Sequence, residues 1–243
     1  MQRETYTHYS TNLSKNMEIA VYGHYGVVVL FFPAISDHFL ENEELGLLEA
    51  LMPAINKGKC KVYCVSGINQ ESLLNSEKSP DEKSLRLLQY NNYVIEELLP
   101  FIFSENGGPI PVLTCGVKHG AFYSANTYFR RPDLFYGTIA LSGTFNIQDY
   151  TQDFFDDNSY FNSPVHFLPN LNDSYWLSFL TSKHHVYLLS GSGEGERPEN
   201  SVYLSEILKM KGIPHFLEIW NSEWEHSPET WKAMLKFIFD NKL

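Results

Sequence analysis

The chain has 243 residues, 43% of them apolar and 15% aromatic, and its 18 Lys+Arg against 29 Asp+Glu give a net charge of −11. That length fits a single α/β domain whose core needs no disulfide or metal staple, and the negative field argues against nucleic acid or an anionic membrane as partner. No apolar run reaches the roughly 18 residues that would span a bilayer.

Residues 1–16 are polar and lack the basic start and apolar core of a signal peptide. Residues 17–22 and 27–32 read as adjacent strands joined by a hairpin-like link, Gly23-His24-Tyr25-Gly26. Residues 45–55 have helical spacing, and 61–65 form a short β-branched and aromatic run. Residues 81–103 predict a long amphipathic helix with Leu85, Leu88, Tyr93, Ile95, Leu98 and Leu99 on or near one face. A buried strand follows at 109–115, then a helix over 121–130 that stops before Pro132. Strand 135–142 precedes a long connection, 144–182, rich in Asn, Asp and aromatic residues. The remainder alternates as strand 186–189, helix 202–211, strand 216–220 and helix 230–239. Continuous apolar strands alternating with helices predict an α/β fold, one domain over 1–243, with a mostly parallel sheet covered on both faces. The connection at 144–182 is too long for an ordinary loop and follows a strand's C-terminal end, where open α/β sheets bind ligands. It is expected to form a small aromatic-rich cap whose rings line a pocket. Cys60, Cys64 and Cys115 lie in apolar runs and read as buried thiols in a reducing, cytoplasmic setting.

The most informative stretch is Pro111-Val-Leu-Thr-Cys-Gly116-Val117-Lys118-His119-Gly120-Ala121-Phe122. A buried strand enters a Gly-x-x-x-Gly turn and leaves directly into a helix. This is the frame of the nucleophile elbow, in which two glycines let strand and helix pack around an exposed central residue. The chain resembles an esterase family of the α/β-hydrolase superfamily, of the esterase D type. The resemblance is carried by Met17-Glu-Ile-Ala-Val-Tyr-Gly23-His24, Phe31-Phe-Pro33, Glu96-Glu-Leu-Leu-Pro100-Phe-Ile, Arg131-Pro-Asp-Leu-Phe135, Ala140-Leu-Ser-Gly143, Phe155-Asp-Asp-Asn158-Ser-Tyr-Phe-Asn-Ser-Pro164 and Lys211-Gly-Ile-Pro214. It implies an α/β-hydrolase fold with a cap, and a triad in the order nucleophile, acid, histidine.

Family members carry serine at the centre of the elbow, where this chain has Lys118. An ammonium cannot be deprotonated by histidine into an acyl-transfer alkoxide, and a neutral lysine would trap an acyl group as a stable amide. The resemblance implies an oxyanion-hole loop at Ala34, Ile35, Ser36 and Asp37, with the backbone N–H of His119 as a further donor, the His119 side chain turning away from the pocket mouth. Asp37 would oppose a developing oxyanion but suit Lys118 as an ion-pair partner. The acid position falls on Glu196, with Glu194 as the alternative, and the histidine position on His226 before the last helix. Ser142 and Ser36 are weaker nucleophile candidates, and Cys115 should face the core. His184-His185 lacks a third metal ligand at useful spacing, and no cofactor motif is present.

The reading that results is an esterase-like protein that has lost serine-esterase chemistry, its pocket kept for a small, anionic ligand or serving a protein partner. The alternative is an enzyme with altered chemistry that uses Lys118 as a base or Schiff-base nucleophile with His226. The aromatic surplus is compatible with a homo-oligomer.

Overall fold

Strands made almost wholly of apolar residues cannot leave either face to water, so helices must cover both. Val112–Val117, Gly137–Leu141 and Val186–Ser190 are each buried along their whole length. The computed structural model describes residues 3–152, 154–182 and 185–243. Its strands are β1 (Arg3–Ser10), β2 (Lys15–Tyr22), β3 (Val27–Phe31), β4 (Cys60–Val65), β5 (Val112–Val117), β6 (Gly137–Leu141), β7 (Val186–Ser190) and β8 (Phe216–Ile219). Its helices are α1 (Glu41–Glu44), α2 (Leu47–Asn56), α3 (Pro80–Tyr93), α4 (Leu99–Glu105), α5 (His119–Arg130), α6 (Gln148–Thr151), α7 (Asp157–Phe161), α8 (Pro164–Asn170), α9 (Ser174–Ser182), α10 (Pro198–Met210) and α11 (Pro228–Asn241).

The strands form one sheet in the order β1-β2-β4-β3-β5-β6-β7-β8. Strand β2 runs antiparallel to both of its neighbours, and the pairings from β4 through β8 are parallel. Alternation along each strand divides the core in two, as the period of a strand requires. Val28 and Leu30 join Leu87, Tyr90, Phe122 and Leu204 from α3, α5 and α10 on one face. Val29 and Phe31 join Leu51, Trp231, Met234 and Ile238 from α2 and α11 on the other.

Two expectations change. Strands β2 and β3 do not form a hairpin, because β4 lies between them, pairing Ile19 with Val65 and Tyr63 with Leu30. The Gly23–Gly26 link is a crossover: Gly26 has φ 104°, and a Cβ there would lie 2.2 Å from the carbonyl carbon of Lys59, where the chain passes the start of β4. The hairpin is β1–β2, and β1 escapes sequence patterning because its residues are largely exposed and polar. The long helix is interrupted by a π-helical turn at Val94–Leu98 before α4. Its buried face is Leu87, Tyr90, Asn91 and Tyr93, with Leu85 turned out to 48% exposure.

The connection 144–182 folds as α6 to α9. It is tied to the core by Asn162, whose Oδ1 accepts from Asn91 Nδ2 (2.5 Å), Asn126 Nδ2 (2.9 Å) and Arg130 Nη1 (3.0 Å). Its rings do not line a pocket as a group. Phe145 is buried in the core, while Phe155, Phe161 and Tyr175 face solvent. Cys60, Cys64 and Cys115 are free and buried. Among the described residues no helix is long and apolar enough to cross a membrane.

Candidate functional site

Strand β5 ends at Val117, and α5 begins at His119, so the chain turns from strand to helix on one residue. Lys118 holds φ 55° and ψ −117° there, a conformation that costs an L-residue about 1–3 kcal/mol. The two glycines explain how the turn is built. A Cβ on Gly116 would stand 2.0 Å from the Gly120 carbonyl oxygen, and one on Gly120 would stand 2.7 Å from that of Pro33. Lys118 N–H donates to the Leu141 carbonyl at 2.9 Å, which fixes the turn against the end of β6.

His226, on the loop between β8 and α11, is held by its backbone N–H to the Glu194 carbonyl (2.9 Å) and by its ring against Trp231. Of the two acids it is Glu196 that brings a carboxylate to it: His226 Nδ1 lies 3.4 Å from Glu196 Oε1. That contact is long, and Nδ1 makes no hydrogen bond. The Glu196 side chain is fully buried and accepts from Ser142 Oγ (2.6 Å) and Ser190 Oγ (2.8 Å). Burial alone would raise this carboxyl, but His226, Ser142 and Ser190 together outweigh it and hold it below the usual value. Ser142 therefore positions the acid rather than offering a nucleophile.

The loop after β3 is turned the opposite way from an oxyanion hole. The Ala34 carbonyl accepts from His119 N–H at 3.2 Å. The other side of the same peptide, Ile35 N–H, donates to Glu41 Oε2 at 3.0 Å, and Ser36 N–H donates to Glu41 Oε1 at 2.9 Å. Glu41 sits on the short α1 and is buried. A carboxylate thus occupies two loop amides, and a carbonyl oxygen occupies the helix amide after Lys118. Asp37 does not pair with Lys118. Its carboxylate accepts from Gln70 N–H (3.1 Å), and burial raises its pKa. The Ser36 hydroxyl accepts from His38 N–H at 3.2 Å.

A cleft of about 390 Å³ opens above the turn, and its lining includes Lys118, His119, Ser142, Tyr150, Arg197 and His226. The His119 side chain, expected to turn away, faces this cleft and shares a 2.8 Å hydrogen bond between Nδ1 and the Tyr150 hydroxyl. Burial, reinforced by the charges of Lys118 and His226, lowers its pKa to about 4, so it is neutral at pH 7. Tyr150 is the ring that the 144–182 segment contributes to the lining. Among the described residues the Lys118 ammonium makes no ion pair or hydrogen bond.

Lys118, His119 and His226 line one cleft with Glu196 behind His226, and Glu194, Ser36 and Asp37 make no hydrogen bond or ion pair with Lys118. Sequence reasoning passes over Glu41, Tyr150 and Arg197. Only Arg197 has a local signal, as the cation next to the proposed acid. Among the described residues no group of three or more His, Cys, Asp or Glu is arranged to hold a metal ion. His184 lies outside the described residues.

No family model matches the chain, and no curated protein matches it. Solved structures do. A ferulic acid esterase superposes with TM-score 0.74 at 16% identity, over 98% of this chain and 95% of its own. An S-formylglutathione hydrolase from Agrobacterium tumefaciens gives 0.72 at 15%, over 98% and 92%. MPT51 from Mycobacterium tuberculosis gives 0.72 at 15%, over 99% and 97%. At such identities the likeness establishes the fold alone: this chain has the α/β-hydrolase fold.

Proposed function

We propose that this chain is an esterase-like α/β-hydrolase protein without serine-esterase chemistry, whose cleft binds a small anion such as a carboxylate. The observation that carries the reading is the reversed loop at Ala34 and Ile35. Acyl transfer develops negative charge on the carbonyl oxygen, and catalysis depends on fixed donors at that point. Here the His119 amide is bonded to a carbonyl and the loop amides to Glu41. Lys118 at the nucleophile position agrees with this, since the remaining His226–Glu196 pair has no hydroxyl to activate. Among the described residues the ammonium makes no ion pair, and the cleft beside it is open. This supports a ligand site rather than a pocket plugged by Lys118.

The test has two parts. Turnover of p-nitrophenyl acetate and butyrate is expected to match buffer, and butyrate is expected to bind by calorimetry in the wild type but not in Lys118→Gln. Turnover above background that disappears in Lys118→Ala or His226→Ala would overturn the loss of esterase chemistry. Butyrate binding that is absent, or unchanged in Lys118→Gln, would overturn the anion site.

A further inference from the structure

Arg197 follows the buried Glu196 and is the first residue before α10. It lines the same cleft as Lys118, and among the described residues its guanidinium also makes no ion pair or hydrogen bond. The hydrogen-bonded Tyr150–His119 pair, 2.8 Å between hydroxyl and Nδ1, lines that cleft with them. Lys118 and Arg197 are thus two separate cations on one cleft. The lining contains one aspartate, Asp149, and its Oδ2 accepts from the Thr144 hydroxyl. Glu196 is fully buried, engaged by Ser142 and Ser190, and makes no ion pair with either cation.

Resting on the anion-site reading above, we infer that the ligand is a small dianion, with one anionic group on Lys118 and the other on Arg197. The guanidinium offers a planar fork that takes a carboxylate through two parallel N–H donors, whereas the ammonium binds as a compact charge. Two unlike anchors in one cleft select for ligand length as well as charge. General attraction does not account for the preference, because the protein as a whole carries −11 and repels anions at long range.

Calorimetric titration at constant ionic strength tests this. The dicarboxylates malonate, succinate, glutarate and adipate are compared with propionate, butyrate and valerate. At least one dicarboxylate is expected to bind about ten-fold or more tightly than every monocarboxylate, with an optimum in chain length. Arg197→Gln is expected to abolish that advantage while butyrate still binds, and Asp149→Asn is expected to tighten the dicarboxylate. If monocarboxylates and dicarboxylates bind alike and Arg197→Gln changes neither, the dianion is refuted while the single-anion site stands. If neither series binds, both readings fall.

Discussion

Replacing Lys118 with serine restores the missing hydroxyl and, on the geometry described, still leaves the protein a poor esterase. The new side chain would stand at φ 55° and ψ −117° beside His226, whose Nδ1 is 3.4 Å from Glu196. What is absent is a place for the oxyanion. Loss of one donor costs about 10²–10³ in kcat, and here the His119 amide and the Ile35 amide are both occupied. To free them, the Ala34–Ile35 peptide must turn over, breaking the bond from Ile35 to a buried carboxylate and the bond from His119 to the Ala34 carbonyl. At about 1.5–3 kcal/mol for the hydrogen bond to a charged group and about 0.5–1.5 kcal/mol for the neutral one, the two keep the open form at roughly 3 × 10⁻² to 5 × 10⁻⁴ of the population. Lys118→Ser alone should therefore hydrolyse p-nitrophenyl acetate at or near background. The double variant Lys118→Ser with Glu41→Ala removes the charged acceptor of the Ile35 amide and should raise kcat by about one to two orders of magnitude over the single one. Glu41→Gln, which keeps one carbonyl acceptor, should fall between them. Stopped-flow release of p-nitrophenol measures all three, with circular dichroism confirming that each is folded. If Lys118→Ser alone is as fast as the double variant, Glu41 does not hold the loop closed and the reasoning fails.

Three further outcomes follow from the same geometry. Gly116→Ala should cost at least about 3 kcal/mol in urea denaturation, because its Cβ would meet the Gly120 carbonyl oxygen at 2.0 Å with backbone on both sides; a loss below about 1 kcal/mol would contradict the tight turn. Lys118→Gly should stabilise the fold by about 1 kcal/mol, since relief of a strained φ outweighs the added freedom of the unfolded chain; a lowered midpoint would mean that the turn stores no strain. The His119 imidazole titrates at about 4 when folded against an ordinary 6.5. The unfolded state therefore binds more protons between those values, and stability must fall as the pH drops through that window. His119→Asn should flatten the fall between pH 6.5 and 5, above the range in which Glu196 protonates, and an unchanged slope would show that His119 is not buried as described.

Much of this molecule follows from local pattern. Runs such as 27–31, apolar at every position, and 112–117, polar only at Thr114, read as strands inside a sheet covered on both sides, and helical spacing supplies the layers that cover them. The spacing of Gly116 and Gly120 locates the turn, since only residues without a side chain permit that approach, and the positions of Glu196 and His226 after β7 and β8 follow from chain order. Pattern fails where the partner is remote. Strand β1 carries no apolar alternation and is held by its pairing with β2, and the insertion of β4 between β2 and β3 is a matter of topology that neither strand's composition records. The decisive feature of the site belongs to the second kind. Which way the Ala34–Ile35 peptide faces depends on a carboxylate that α1 carries back to its amides and on a helix amide that α5 brings from the other side. The sequence by itself determined that a lysine stands where chemistry should begin. Only the tertiary structure decided that the donors around it are already satisfied, because a peptide plane takes its orientation from the groups that fold against it.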